Sequence, residues 1–272
     1  RAAAGTAARA PAPAGPLPPP TRRLTPRPPA PLRPPARLAS ALDEAARKGL
    51  RVAAIVPVHV GGRACDMEAI TAIAARGGVP VVEDSAHAFP VIHRGRMLGT
   101  WGDAGVFSFY ATKTITTGEG GMVGTRREDL ARRIRVMRLH GIDRDVWNRY
   151  TAANGSWEYD VVEAGYKYNL TDLASAIGIA QLAKADAFLE RRRAVARAYL
   201  AGLGGSDWLE LPDDTVDNGW HLFVVRLRAE RVAIDRDRFV AELQQRGIGT
   251  SVHFIPLHLM SYYRQRYALR PE

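Results

Sequence analysis

Four of the 38 basic side chains are lysines: Lys48, Lys113, Lys167 and Lys184. Everywhere else the chain uses arginine for positive charge. Arginine stays protonated, whereas lysine can lose its proton and attack a carbonyl to form a Schiff base. Lys113 stands in the stretch F-S-F-Y-A-T-K-T-I-T-T-G-E-G-G-M, from Phe107 to Met122. An apolar run ends at Ser108, and Gly118, Gly120 and Gly121 follow the lysine. Small residues and glycines let backbone N–H groups approach an anion. A lone loop lysine is ordinarily a surface charge, so its neighbours carry the argument. The stretch is no Walker loop, because the glycines follow the lysine and no G-x-x-x-x-G-K-[ST] occurs.

A second candidate is E-D-S-A-H-A, Glu83 to Ala88. The plain reading of Asp84 is a helix N-cap beside a half-buried His87; the functional one is a carboxylate at a ligand crevice that pairs with a cationic nitrogen. A protonated pyridine needs such a carboxylate to act as an electron sink. A Schiff-base lysine with a ring-nitrogen aspartate is the minimal equipment for pyridoxal phosphate (PLP) chemistry.

Several elements must position these residues. Residues 41–48 read as a short helix and Val52–Val58 as a buried strand. Asp66 caps a helix over 67–76 that ends at Gly77-Gly78, and Val79–Glu83 is a second strand. Strand, helix and strand in this order make a right-handed βαβ unit, with Asp84 at a strand's carboxyl end, where open α/β sheets bind ligands. Ala104–Phe109 and Gly121–Thr125 read as further strands and 127–138 as a helix. Residues 143–164 read as a loop holding Trp147 and Trp157. A helical pattern, broken once, runs from Thr171 to about Leu203, capped by Asn169 or Thr171. Beyond it come a strand over Trp220–Leu227, a helix over 236–246 capped by Asp235 and stopped by Gly247, and a strand over Ile248–Phe254. This is α+β texture, without internal repeats.

Composition narrows the classes. The 272 residues carry a formal charge of +10, but seven arginines and no acid lie in residues 1–40, which leaves +3 on the remainder. The basic excess is therefore a tail and not a patch with interleaved aromatics, so nucleic-acid binding is not expected. No apolar run reaches the roughly 20 residues of a membrane helix, and no membrane partner is expected. One cysteine, Cys65, excludes an internal disulfide and fits a reducing, cytoplasmic compartment. Residues 1–39 use six residue types and hold 12 of the 18 prolines. The segment 1–40 is expected to be a disordered Pro/Arg/Ala-rich tail, or alternatively a stretch translated out of frame or from a wrongly assigned start. Its proline density forbids the amphipathic helix of a transit peptide.

Three ordered motifs carry a resemblance: E-D-S-A-H-A, then G-D-A-G-V-F-S-F-Y-A-T-K-T-I-T-T-G-E-G-G-M, then G-Y-K-Y-N-L-T-D (165–172). From about Ala41 to Glu272 the chain resembles the DegT/DnrJ/EryC1/StrS family of sugar aminotransferases. The third motif and R-G-I-G-T-S-V-H-F-I-P-L-H (246–258) particularly resemble members that aminate a UDP-4-keto-pentose for lipid A modification, with perosamine-type synthases close by. The resemblance implies an α/β chain of aspartate-aminotransferase-like fold type I. Its large PLP-binding domain over 41–200 and its α+β small domain over 201–272 would both be partial, because relatives have more chain at either end.

By position, the resemblance makes Lys113 the Schiff-base residue, Asp84 the partner of the pyridine nitrogen, His87 the contact of the ring hydroxyl and Ser108 a holder of the cofactor phosphate. Lys167 and Asn169 would reach the cofactor of a partner subunit in a homodimer with shared sites. Many members have Asn and Arg at those two positions. His253 and His258 would lie near the sugar, or form a structural pair; two histidines alone make no zinc site, and no metal is expected. The implied substrates are glutamate and a nucleotide-linked keto sugar, most simply a 4-keto sugar, for cell-surface polysaccharide or lipid A. Relatives that dehydrate instead have histidine at the Lys113 position. Two other readings stand beside this one: a catalytically inactive fragment that dimerises or binds, and a nucleotide-binding α/β domain, for which the required G-x-G-x-x-G is absent.

Overall fold

In the computed structural model, which describes residues 35–143, 159–215 and 217–270, the first described element is helix α1 (Pro35–Arg47). The helix extends ahead of residue 41, the start that its sequence predicts. Helix α2 (Met67–Gly77) starts as its sequence predicts. The Asp66 side chain accepts the Ala69 N–H at 3.2 Å, and Gly78 closes the helix in the left-handed region at φ 61°. Such a cap contributes about 1 kcal/mol. Helix α1 packs on α2.

Two short strands organise the middle of the chain. Strand β1 (Val82–Asp84) lies parallel to the next long strand, across a small hairpin of β2 (Ile92–His93) and β3 (Arg96–Met97). That strand is β4 (Ala104–Ser108), and β5 (Gly121–Gly124) runs antiparallel to it, giving the order β1-β4-β5. Ile55 and Val58 add parallel bridges to Val81 and Asp84 on the outer side of β1.

Register separates the chemistry of the two sheet faces, since successive side chains alternate. Glu83, Gly105 and Gly124 share one row. Their face is packed shut: Phe107 is buried, and a Cβ on Gly105 would stand 2.0 Å from the Gly99 carbonyl oxygen. Val58, Asp84, Val106 and Val123 share the neighbouring row on the other face, and Ser108 follows on the same side. The three valines of that row are exposed.

Helix α3 (Glu128–Met137) follows the sheet. Helices α4 (Asp172–Leu182) and α5 (Ala185–Leu203) are the predicted long pattern with its one break, at Ala183-Lys184. Thr171, one of the two cap candidates, accepts the Ala174 N–H at 3.2 Å. Strands β6 (Leu209–Glu210) and β7 (Arg226–Leu227) pair antiparallel. Residues Arg33–Asp235 form one compact unit, and Arg236–Glu272 belong to a second. The second holds α6 (Arg236–Gln245), stopped at Gly247 with φ 76°, and α7 (Ser261–Tyr267). No helix among the described residues is long and apolar enough to cross a membrane.

Three strand expectations need correction. Val52–Val58 makes the expected parallel pairing only at isolated bridges, because Pro57 has no N–H to give and Val56 and Val58 stay exposed. Trp220–Leu227 shrinks to Arg226–Leu227: Trp220 takes φ 48°, and the residues around it bond to the turn at 61–64 instead of a strand. Ile248–Phe254 forms no strand, since no described segment pairs with it, and Ile248, Val252 and Phe254 remain exposed. Most of the tail 1–40 and most of the loop 143–164, with Trp147 and Trp157, lie outside the described residues.

Candidate active site

Glu83 anchors the strand end that carries Asp84. Its fully buried carboxylate accepts the backbone N–H groups of Trp101 (2.6 Å), Gly102 (2.8 Å) and Gly99 (2.8 Å), and meets His59 Nε2 at 3.2 Å. Burial alone would push this carboxyl up. The His59 contact and the Gly102 and Gly99 N–H groups outweigh it and hold the group below its ordinary value. Glu83 is thus a fixed anion whose partners are already supplied. Asp84, turned to the opposite face, accepts the Ala86 N–H at 3.1 Å and is half-buried.

Lys113 sits on a loop with closed ends. Phe109 N–H donates to the Gly120 carbonyl at 2.8 Å, and Thr117 N–H donates to the Phe109 carbonyl at 2.9 Å. Thr114, Ile115 and Thr117 are buried and pin the loop from within. The lysine is half-buried. Burial lowers its affinity for a proton, and the charge of Asp84 opposes that shift without cancelling it. The loop after β4 and the end of β1 therefore bring Lys113 and Asp84 within electrostatic reach. Ser108, on the Asp84 face, accepts the Tyr110 N–H at 3.4 Å at the start of the same loop.

His87 follows β1 on a tight turn, and its Nδ1 accepts the Gly61 N–H at 3.2 Å. The ring of His221 stacks on it at 4.3 Å between centroids, with 30° between planes. Sequence reasoning found His87 but missed Glu83, His59 and His221. Two consecutive acids on a short strand were a usable signal for Glu83, since alternation must send them to opposite faces.

Cys65, His59 and Glu83 have the residue types of a nucleophilic triad, and the geometry denies it. His59 Nδ1 accepts the Cys65 backbone N–H at 3.1 Å, while Sγ donates to the Val58 carbonyl at 3.3 Å. Burial, with Glu83 and Asp66 adding to it, pushes the thiol up to about 12, far from a thiolate at neutral pH.

Lys167 donates to the Asn169 side chain. Both belong to a segment bonded back to α3: Tyr166 N–H donates to Met137 and Tyr168 N–H to Arg138. Asn169 lines an open groove of about 640 Å³ with Thr117, Gly120, Gly121, Tyr168 and Leu173. The groove does not contain Lys113 or Asp84; it shares only the glycine turn with them. No bond joins Lys167 or Asn169 to Lys113 among the described contacts of this single chain. His253 and His258 lie in the second unit, His253 against the Phe254 ring at 3.7 Å. No cluster of three His, Cys, Asp or Glu able to hold a metal occurs among the described residues.

The residues of the first unit fit PLP: a half-buried amine whose proton affinity burial lowers, a carboxylate close enough to act on it, and a hydroxyl on the carboxylate's face of the sheet. Comparison with known proteins agrees. The Bacillus subtilis spore coat polysaccharide biosynthesis protein SpsC is 44% identical over 223 residues, 81% of this chain and 57% of SpsC. Helicobacter pylori PseC, an aminotransferase of pseudoaminic acid biosynthesis, superposes with TM-score 0.71 at 26% identity over 81% of this chain and 57% of PseC. The Spr1654 protein of Streptococcus pneumoniae, solved in PLP and PMP forms, gives TM-score 0.68 for the PLP form at 28% identity, covering 79% of this chain and 57% of Spr1654. The chain spans 57% of the length of two curated relatives it matches. A model of the DegT/DnrJ/EryC1/StrS aminotransferase family matches residues 34–272, and the chain belongs to that family, whose members use PLP.

Proposed function

We propose that this chain carries the cofactor-binding core of an enzyme that moves an amino group from glutamate to a nucleotide-linked 4-keto sugar, for surface polysaccharide, lipid A or a related glycan. The observation that carries the reading is Lys113: a half-buried amine on the closed loop after β4, its proton affinity lowered by burial, with Asp84 near enough to act on it. PLP, when bound, supplies an aldehyde for the amine and a ring that withdraws electrons from the reacting carbon.

The chain's own residues do the rest. Lys113 would hold PLP through its amine. Once displaced by the donor amine, the same side chain would act as a base that carries a proton from the substrate carbon to the cofactor's aldehyde-derived carbon, on the other side of the linking nitrogen. A lysine with a lowered proton affinity is suited to both tasks, because its neutral form exists nearer to neutral pH. Asp84 supplies the negative charge that keeps the ring nitrogen protonated. His87 would meet the ring hydroxyl and Ser108 the phosphate. Lys167 and Asn169 act on the site of a second copy in a homodimer, and His253 and His258 contact the sugar. The enzyme is assigned to the cytoplasm, where nucleotide sugars are made.

The test is an absorbance spectrum of the chain with added PLP, followed by borohydride reduction and peptide mapping, beside Lys113→Ala. The expected result is a long-wavelength band in the unsubstituted chain only, with the reduced adduct mapped to Lys113. A folded chain that gives no band, or an adduct spread over Lys48, Lys167 and Lys184, would refute the assignment.

A further inference from the structure

The turn Val60–Gly62 and the segment 217–222 hold each other by a ladder of backbone bonds. Ala64 N–H donates to the Asp217 carbonyl at 3.2 Å, Gly219 N–H to Gly62 at 2.9 Å and Leu222 N–H to Gly61 at 3.1 Å. The approach is close: Gly62 has φ 99°, and a Cβ there would stand 2.9 Å from the Trp220 nitrogen. The far segment is secured from its own side as well. Trp220 is buried, its backbone N–H donates to Asn218 Oδ1 at 2.9 Å, and Asp217 Oδ2 lies 2.8 Å from His93 Nδ1. One edge of this ladder offers the Gly61 N–H, the other offers the His221 ring, and His87 sits between them.

A backbone N–H can only donate, so His87 Nδ1 must be the unprotonated nitrogen and the neutral ring carries its proton on Nε2. Stacking against His221 restricts rotation of the same ring. We infer that His221 and the Gly61 amide together set His87 as an oriented Nε2–H donor, which makes His221 a positioning residue for an anionic, phenolate-like oxygen on the ligand that His87 meets. The identity of that ligand rests on the function proposed above; the clamp on His87 does not. A stacked ring pair is worth roughly 0.5–1.5 kcal/mol, which corresponds to about a twofold to tenfold change in affinity.

The experiment uses the whole chain with 15N-labelled histidine, without cofactor, and reads long-range proton–nitrogen correlations of the imidazoles. The His87 signals are identified by their loss in His87→Gln. The expected pattern is the Nε2–H tautomer for His87; an Nδ1–H tautomer overturns the inference. PLP titration followed by absorbance then compares His221→Ala with His221→Phe, each checked by thermal melting. His221→Ala is expected to weaken PLP about twofold to tenfold, and His221→Phe, which keeps a stacking ring, to restore it. Unchanged affinity in a folded His221→Ala, or no recovery in His221→Phe, also overturns it. If neither variant folds, nuclear Overhauser contacts between the His87 and His221 rings of the unsubstituted chain decide, and their absence overturns the inference. Absence of a Lys113 adduct in the unsubstituted chain would count against the proposed function, while the tautomer measurement still judges the clamp.

Discussion

Glu83 and Asp84 are adjacent carboxylates that one peptide unit sends to opposite sides of a strand. Glu83 is fully buried and bonded to three backbone N–H groups and His59. Asp84 is half-buried and acts on Lys113. Anchor and candidate catalytic group therefore share a backbone, and any shift of one is felt by the other.

Asp84→Asn is expected to lower the pH at which Lys113 becomes reactive. Asp84 raises the proton affinity of Lys113 while burial lowers it, so removing the carboxylate leaves the lowering unopposed. The check is the pH dependence of Lys113 labelling by an amine reagent, read by peptide mapping. A midpoint that rises, or does not move, contradicts the placement of these two groups.

Glu83→Gln is expected to destabilise the first unit by about 2–4 kcal/mol, because an amide cannot accept from every donor that now meets the carboxylate. The pH dependence has a defined sign. The folded carboxyl lies below its ordinary value of 4.5, so its contribution is complete above that range and is lost as pH falls through the folded value. Thermal melts across the acid range should show the unsubstituted chain losing stability there and Glu83→Gln losing less.

Cys65 should resist thiol reagents in the folded chain at pH 8 and react at once in denaturant, since burial and nearby acids hold the thiol near 12. Absorbance from a disulfide reagent, with and without guanidinium, measures this. Fast labelling of the native chain would place the thiol elsewhere.

Helix α4 is apolar around its circumference, yet Leu173 and Ile179 are 76% and 72% exposed. The prediction is that the second copy of the proposed homodimer covers this helix. Leu173→Asp with Ile179→Asp should convert a dimer to a monomer in sedimentation, and the two changes should leave the far-ultraviolet spectrum unaltered.

Much of this arrangement is legible in the sequence. Asp66 and Gly78 bracket α2, Thr171 starts α4, and Asp84 ends its strand, because caps and strand ends depend on neighbours in the chain. Lys113 was legible through its rarity. What escaped depends on partners far along the chain. Val52–Val58 has a strand's composition, but Pro57 and an uncovered outer edge leave it only bridges. Nothing local to Trp220 announces that its segment serves the turn at 61–64, and so His221 was not seen.

The same ladder also bears on order of assembly. Arg63 pairs with Asp213 across 150 positions of sequence, and the bonds from Gly61 and Gly62 to Leu222 and Gly219 lie alongside. Contacts of such long separation close late, after local helices and the β1-β4 pairing have somewhere to settle. A nascent chain can thus fold the Lys113 loop and the Glu83 anchor while His87 is still without its stacking ring. Only when residues 217–222 have left the ribosome can that ring be set, so the site matures from its lysine side first and its histidine side last.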